Sequence, residues 1–78
     1  MLVTFPSSDV ATTLGRALIE ERLAACVNLI PAVRSIFRWQ DKICDETEVL
    51  GIFKTTAAVA PQLVQRIAQL HPYDVPEA

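Results

Sequence analysis

The chain has 78 residues, 51% of them hydrophobic, and a formal net charge of −2 with acidic and basic residues interspersed. This length allows a single domain over residues 1–78, which buries barely enough apolar surface to offset its conformational entropy. The interspersed charges form no basic stripe that could follow a phosphate backbone, so we expect no nucleic-acid partner. With only two cysteines and one histidine, oligomerisation is a better source of extra stability than disulfides or a structural metal.

The sequence also lacks the features that direct a protein into or across a membrane. No apolar run approaches the roughly 20 residues that span a bilayer, and residues 1–6 lack the charged start and long apolar core of a signal peptide. We therefore expect a cytoplasmic protein with no membrane partner. Cys26 and Cys44 lie far apart and outside any Cys-x-x-Cys motif, which favours reduced structural thiols over metal ligands.

The first elements predicted are a strand and a helix. Residues 1–5 are apolar with a β-branched centre and are followed by Pro6, which predicts a short buried strand. The serines and the aspartate that come next can cap a helix, which we expect over residues 9–23. Its apolar residues recur at three- and four-residue spacing, as expected for a helix packed on one face: Val10, Leu14, Ala17, Leu18 and Ala25.

A long hairpin is predicted in the middle of the chain. Residues 26–39 are rich in Val, Ile, Phe and Trp, which predicts a long strand interrupted at Pro31. A polar turn over residues 40–42 leads to a second long strand over residues 43–55. These strands are much longer than the first strand, so their tips must project beyond the body of the sheet.

The projecting part of the hairpin carries both charges and aromatic rings. Arg34 and Arg38 on the outgoing strand face an acidic half of the return strand, formed by Asp45, Glu46 and Glu48. Cross-strand pairs of this kind contribute about 0.2 to 1 kcal/mol each, whereas each charge taken singly is more typical of a solvated edge. Phe37 and Trp39 would be an aggregation hazard in water. The sequence therefore predicts a subunit interface on this hairpin.

A second helix is predicted over residues 60–70, with Pro61 in its first turn and His71-Pro72 at its end. Residues 73–77 begin a fourth strand. The order strand, helix, strand, strand, helix, strand predicts an α+β protein of the split βαβ type, in which a four-stranded antiparallel sheet carries both helices on one face.

Four segments of the sequence resemble the divalent-cation tolerance protein family CutA. They occur in order along the whole chain: Glu20-Glu21-Arg22-Leu23-Ala24-Ala25-Cys26-Val27-Asn28, Arg34-Ser35-Ile36-Phe37-Arg38-Trp39, Phe53-Lys54-Thr55-Thr56 and His71-Pro72-Tyr73-Asp74-Val75-Pro76-Glu77. The resemblance implies a ferredoxin-like fold and a homotrimer in which long hairpins reach onto neighbouring subunits. The family commonly has glycine where this chain has Asp41. The resemblance also implies that the family's chain continues beyond residue 77 through further strand and a C-terminal helix.

The family name implies a divalent metal ion, copper above all, and no organic cofactor. The residues that could hold it are His71, Cys26, Asp74 and Glu77, because imidazole, thiolate and carboxylate groups are acceptable ligands for copper. One chain offers too few soft ligands for a closed site, so ligands would be pooled from several subunits or form a weak surface site. The alternative roles are capping of a helix C-terminus for His71 and tight packing for Cys26.

The remaining candidates for a site are aromatic and polar residues. Trp39 and Tyr73 could line an interface pocket, although ordinary interface packing, shared with Phe37, is the preferred interpretation. Lys54-Thr55-Thr56 could hold an anion, but without a glycine-rich loop helix capping is favoured. The sole histidine has no recognisable catalytic partner, so we expect a non-enzymatic protein. Two rival functions remain: a PII-like trimeric signalling module with an effector cleft around Trp39, Lys54 and Tyr73, and a structural trimer scaffold.

Overall fold

The computed structural model describes residues 1–71, which form an α+β domain. Three strands and two helices follow one another as β1 (Leu2–Phe5), α1 (Ser8–Glu20), β2 (Cys26–Trp39), β3 (Lys42–Lys54) and α2 (Ala60–Leu70). The predicted class and the order of these five elements are confirmed. The predicted fourth strand over residues 73–77 lies outside the described residues. Neither helix within residues 1–71 has the length and apolar character that crossing a bilayer requires.

The sheet is antiparallel with the strand order β1-β3-β2, and its two faces differ in burial. One face packs against both helices and forms the core. The sheet contributes Val3, Phe5, Val49 and Phe53 to this core, and the helices contribute Ala11, Leu14, Leu18, Leu63 and Ile67. The helices therefore cover one side of the sheet, as the order of the predicted elements implied.

Helix α1 begins as expected but ends at Glu20, so the prediction that it runs to residue 23 is wrong. The Ser7 hydroxyl accepts a hydrogen bond from the Val10 amide at 3.2 Å and caps the first turn. At the other end Arg22 adopts a left-handed backbone with φ of 61°. The Leu23 amide then donates to the Leu18 carbonyl and the Arg22 amide to the Ile19 carbonyl, both at 3.0 Å. This is a Schellman motif formed without glycine, and no residue pattern at this position indicated it.

Strand β2 contains a bulge at the predicted interruption. Ile30 pairs with Leu50 and Val33 with Glu48, so Pro31 and Ala32 together oppose a single residue of β3. A bulge on an edge strand tolerates proline because no ladder hydrogen bond is lost. The extra residue keeps Ile30 and Val33 on the same face of the sheet.

The β2–β3 hairpin turns at Gln40 and Asp41, which both have positive φ, 49° and 63°. The turn is therefore a two-residue type I′ turn closed by the pair Trp39 and Lys42, and β3 begins at Lys42 rather than at residue 43. Strand β1 pairs only with residues 49–52 of β3. Within residues 1–71, the rest of the hairpin is a two-stranded ribbon, and the domain extends 38 Å along its longest axis.

The predicted contact between opposite charges on the hairpin is confirmed for one pair. Arg34 forms a two-pronged ion pair with Asp45, with Nε 3.2 Å from Oδ1. Arg38 lies opposite Ile43 instead. Glu48, expected in a solvent-facing acidic stretch, is only 5% exposed, because it lies where the hairpin joins the three-stranded body of the sheet.

Candidate functional site

His71 lies at the end of α2 and is buried against the first strand. Its backbone amide donates to the Ile67 carbonyl at 2.8 Å. His71 is therefore the C-cap of α2, which is the alternative to metal binding that the sequence suggested for it. Its Nε2 lies 2.7 Å from the Thr4 carbonyl oxygen, and its ring stacks on Phe5 with centroids 5.1 Å apart. A carbonyl oxygen can only accept, so Nε2 carries a proton. In the neutral ring, a bond to metal would therefore have to use Nδ1.

Cys26 lies in a different part of the domain. It begins β2 opposite Lys54, and its Sγ is 3.9 Å from the side-chain oxygen of Asn28. His71 contacts Thr4, whose register partner on β3 is Leu50. The central strand thus separates the two candidate ligands, and the fold does not bring them together within one chain.

No metal centre is formed by the described part of the chain. Residues 1–71 contain no group of three or more His, Cys, Asp or Glu side chains placed to hold an ion. Two of the four candidate ligands, Asp74 and Glu77, lie outside the described residues. The assignment of His71, Cys26, Asp74 and Glu77 as metal ligands therefore stays a prediction.

The face of the sheet that the helices leave uncovered carries a cluster of apolar residues. Its register places Leu2 beside Ile52 and Ile30 beside Leu50, and we call these four residues the open face. Leu2 is 52% exposed and Ile30 is 43% exposed. This surface was not predicted from the sequence. Interpreting the interruption at Pro31 as a bulge would have shown on which face of the sheet Ile30 lies.

The hairpin tip, residues 36–43, carries a second group of exposed apolar residues. Phe37 and Trp39 lie on the same side of the ribbon as the open face, and Trp39 is 62% exposed. Ile36 and Ile43, on the other side of the ribbon, are even more exposed. Two of the predicted interface residues thus lie on the same side as the open face, although Ser35, Glu46 and Glu48 separate them from it on that side. The third, Tyr73, lies outside the described residues.

A small hollow lies between the end of α1 and the loop before α2. It has a volume of about 290 Å³ and is lined by Ile19, Arg22, Ala24, Ala25, Thr55, Thr56 and Val59. The Thr55 hydroxyl donates to the Leu23 carbonyl at 2.9 Å, and the N-cap of α2 is Val59, which makes no side-chain capping bond. The expectation that Thr55 or Thr56 caps α2 through its side chain is therefore wrong, because Thr55 instead ties the loop to the end of α1.

The fold and these surfaces define the chain as a small α+β domain with a projecting hairpin and exposed apolar residues on its uncovered sheet face. The model of the CutA1 divalent ion tolerance protein family matches residues 1–78. The chain belongs to this family, which confirms the resemblance found in the sequence.

Relatives from bacteria to mammals support this family assignment. The divalent-cation tolerance protein CutA of Thermus thermophilus is 51% identical over 99% of this chain and 75% of its own length. The mouse protein CutA is 47% identical over 96% of this chain. This chain spans 42% of the mouse protein, so it corresponds to less than half of that relative.

Solved structures of relatives share the fold. The Thermus thermophilus protein has a TM-score of 0.91 at 51% identity, over 97% of this chain and 74% of its own. CutA1 from Oryza sativa has a TM-score of 0.94 at 37% identity, over 97% and 70%. A protein from Nostoc described as a PII-like CutA, in its apo form, has a TM-score of 0.90 at 41% identity, over 97% and 71%.

Proposed function

We propose that this chain is a non-enzymatic, homotrimeric protein of divalent-cation tolerance that acts in the cytoplasm and binds copper or a similar ion weakly. The observation that carries the proposal is the exposure of apolar residues on the open face and at the hairpin tip, in a chain whose relatives are named for divalent-cation tolerance. The proposal includes a fourth strand formed by residues 73–77.

Assembly is supported by the size of the domain and by the position of its exposed apolar residues. A domain this small gains stability from burying apolar surface between copies. A closed ring of copies would cover the open face and would also remove the exposed edges of the hairpin ribbon. Phe37 and Trp39 are the residues best placed to contact a neighbouring copy.

The assembly is tested by replacing Trp39 with alanine. Deleting a large buried aromatic typically costs about 3 to 5 kcal/mol, so Trp39→Ala should dissociate the trimer or lower its melting temperature, measured by light scattering and thermal denaturation. The matched control is Val64→Ala, since Val64 is 49% exposed on α2 and away from the hairpin. An unchanged mass and melting temperature for Trp39→Ala would show that the tip remains in solvent.

Metal binding is tested by copper titration as a function of pH. Imidazole must be deprotonated to coordinate a metal, so copper binding through His71 should weaken as the solution is made more acidic. His71→Gln keeps a donor for the Thr4 carbonyl but removes the basic ring nitrogen, so it should weaken binding. If His71→Gln binds copper normally and Cys26→Ser does not, the thiol is the ligand. If both variants bind as the parent does, bound copper is adventitious.

The second candidate function is PII-like signalling through a small effector, suggested by the description of the Nostoc relative. Trp39 and Lys54 lie near opposite ends of the β2–β3 hairpin, because Trp39 pairs with Lys42 and Lys54 pairs with Cys26. Lys42 and Lys54 are the first and last residues of β3, so most of the 38 Å length of the domain lies between them. An effector cleft that uses Trp39, Lys54 and Tyr73 therefore requires residues from different copies.

Titration with a nucleotide panel distinguishes this function from metal tolerance. Saturable binding of a nucleotide without copper binding would favour the signalling function. Binding of neither ligand would favour the third possibility, a structural trimer scaffold.

A further inference from the structure

We propose that the hollow between the end of α1 and the loop over residues 55–59 binds a small organic anion with an apolar body, such as an aromatic or branched-chain monocarboxylate. None of the residues that line the hollow belongs to the open face or to the hairpin tip. This proposal is therefore independent of the proposed trimer and metal site, and each can fail without the other.

The shape and lining of the hollow suit an apolar body. Its walls include Ile19 and Val59, and the buried Ala24 and the adjacent Ala25 leave the space between them open because their side chains are small. The volume of about 290 Å³ exceeds the roughly 150 Å³ in which an apolar protein cavity holds benzene. A single ring with one substituent therefore fits.

Arg22 supplies the positive charge at this hollow. Within residues 1–71 its side chain makes no hydrogen bond or ion pair. The neighbouring carboxylate of Glu21 accepts two hydrogen bonds from Arg66, at 2.8 and 3.2 Å, and is thus already engaged. A guanidinium group binds a carboxylate through two parallel N–H donors, so the charge of the hollow is complementary to an anion.

The backbone at Arg22 strengthens this assignment. Arg22 occupies the left-handed position after the helix, where glycine is favoured because a side chain raises the energy of that conformation. Arginine at this position places its side chain beside the hollow at the expense of local stability.

The walls of the hollow are held in place before any ligand binds. The Thr55 hydroxyl ties its loop to the Leu23 carbonyl, and the Ala25 amide donates to the Lys54 carbonyl at 2.9 Å. The exposed hydroxyl of Thr56 adds a polar group to the lining. A preformed site binds with little loss of conformational entropy.

The test is a titration of isotopically labelled protein with benzoate, followed through the amide signals, with benzyl alcohol as the neutral probe of similar shape. Benzoate should shift the amides of residues 19–25 and 55–59 saturably, with a dissociation constant of about 1 mM, and benzyl alcohol should bind more weakly. Arg22→Gly should weaken benzoate binding about tenfold or more, because a charge-assisted bidentate contact is lost. Ala25→Leu, which fills the hollow, should also prevent binding.

Arg22→Gly removes the charge while relieving the left-handed backbone, so it is expected to fold at least as well as the parent. Asp41→Gly is the matched control, because it relieves the same kind of backbone in the hairpin turn and should leave benzoate binding unchanged. The proposal is overturned if benzoate causes no saturable shift at millimolar concentration, if the shifts lie elsewhere, or if Arg22→Gly binds benzoate as the parent does.

Discussion

Gly51 lies at the centre of the sheet, where a side chain as small as a methyl group has no room. An added Cβ would lie 2.9 Å from Cε2 of Phe5 and 3.0 Å from Cε2 of Phe53. Both rings are almost completely buried and pack against each other with centroids 6.2 Å apart at 55°. Neither ring can move without disturbing the core, so Gly51→Ala forces the two aromatic residues away from their present positions.

The expected loss of stability follows from two opposing contributions. Overpacking a core typically lowers stability by about 1 to 3 kcal/mol. Replacing a glycine in a strand recovers about 0.5 to 1 kcal/mol, because the unfolded chain loses conformational freedom. We therefore expect Gly51→Ala to lower the free energy of unfolding by about 1 to 2 kcal/mol. In a domain of this size that is a decrease of about 5 to 15 °C in Tm.

Thermal and urea denaturation at a fixed protein concentration measure this change, because the stability of an oligomer depends on concentration. Gly15→Ala is the matched control. An added Cβ there would lie 3.1 Å from Cγ1 of Val27, and the helical gain of about 1 kcal/mol offsets that single close contact. The packing argument would be refuted if the Gly51→Ala variant were as stable as the parent, or if it lost less free energy of unfolding than Gly15→Ala.

Three other substitutions or titrations test separate parts of the fold. Asp41→Gly should raise the free energy of unfolding by about 0.5 kcal/mol in urea denaturation, because a type I′ turn favours glycine at this left-handed position; a loss would contradict the turn assignment. Leu63→Ala should cost about 2 to 5 kcal/mol, since this side chain is fully buried, whereas Val64→Ala should change stability by no more than about 0.5 kcal/mol. The hydrogen bond to Glu21 raises the pKa of Arg66. The stabilisation that this ion pair contributes is therefore present at all ordinary pH values and is lost only as the pH rises through that raised pKa. NMR of the guanidinium group should show it protonated near neutral pH, and deprotonation there would contradict this.

Local sequence patterns predicted most of the fold because each pattern has a direct structural cause. The bounds of α2 were predicted correctly, since Pro61 favours a first turn and apolar residues recur at helical spacing up to residue 70. The end of α1 was not, because the turn at Arg22 is stabilised by backbone hydrogen bonds that need no particular side chain. Propensity rules assign such a turn to glycine.

The candidate site was less predictable because its contacts join distant parts of the chain. The hydrogen bond between His71 and the Thr4 carbonyl links the last described residue to the first strand. Thr55 similarly reaches across to the carbonyl of Leu23. Neither contact leaves a periodic signal in the sequence, so only the packed fold reveals which residues share a surface.

The most direct test of the proposed function is the mass of the particle in solution. Light scattering on the protein eluting from a sizing column should give three times the 8.6 kDa mass of one chain, because the open face and Trp39 would otherwise remain in water. A monodisperse particle with the mass of one chain at micromolar concentration would contradict the assembly and the function proposed from it.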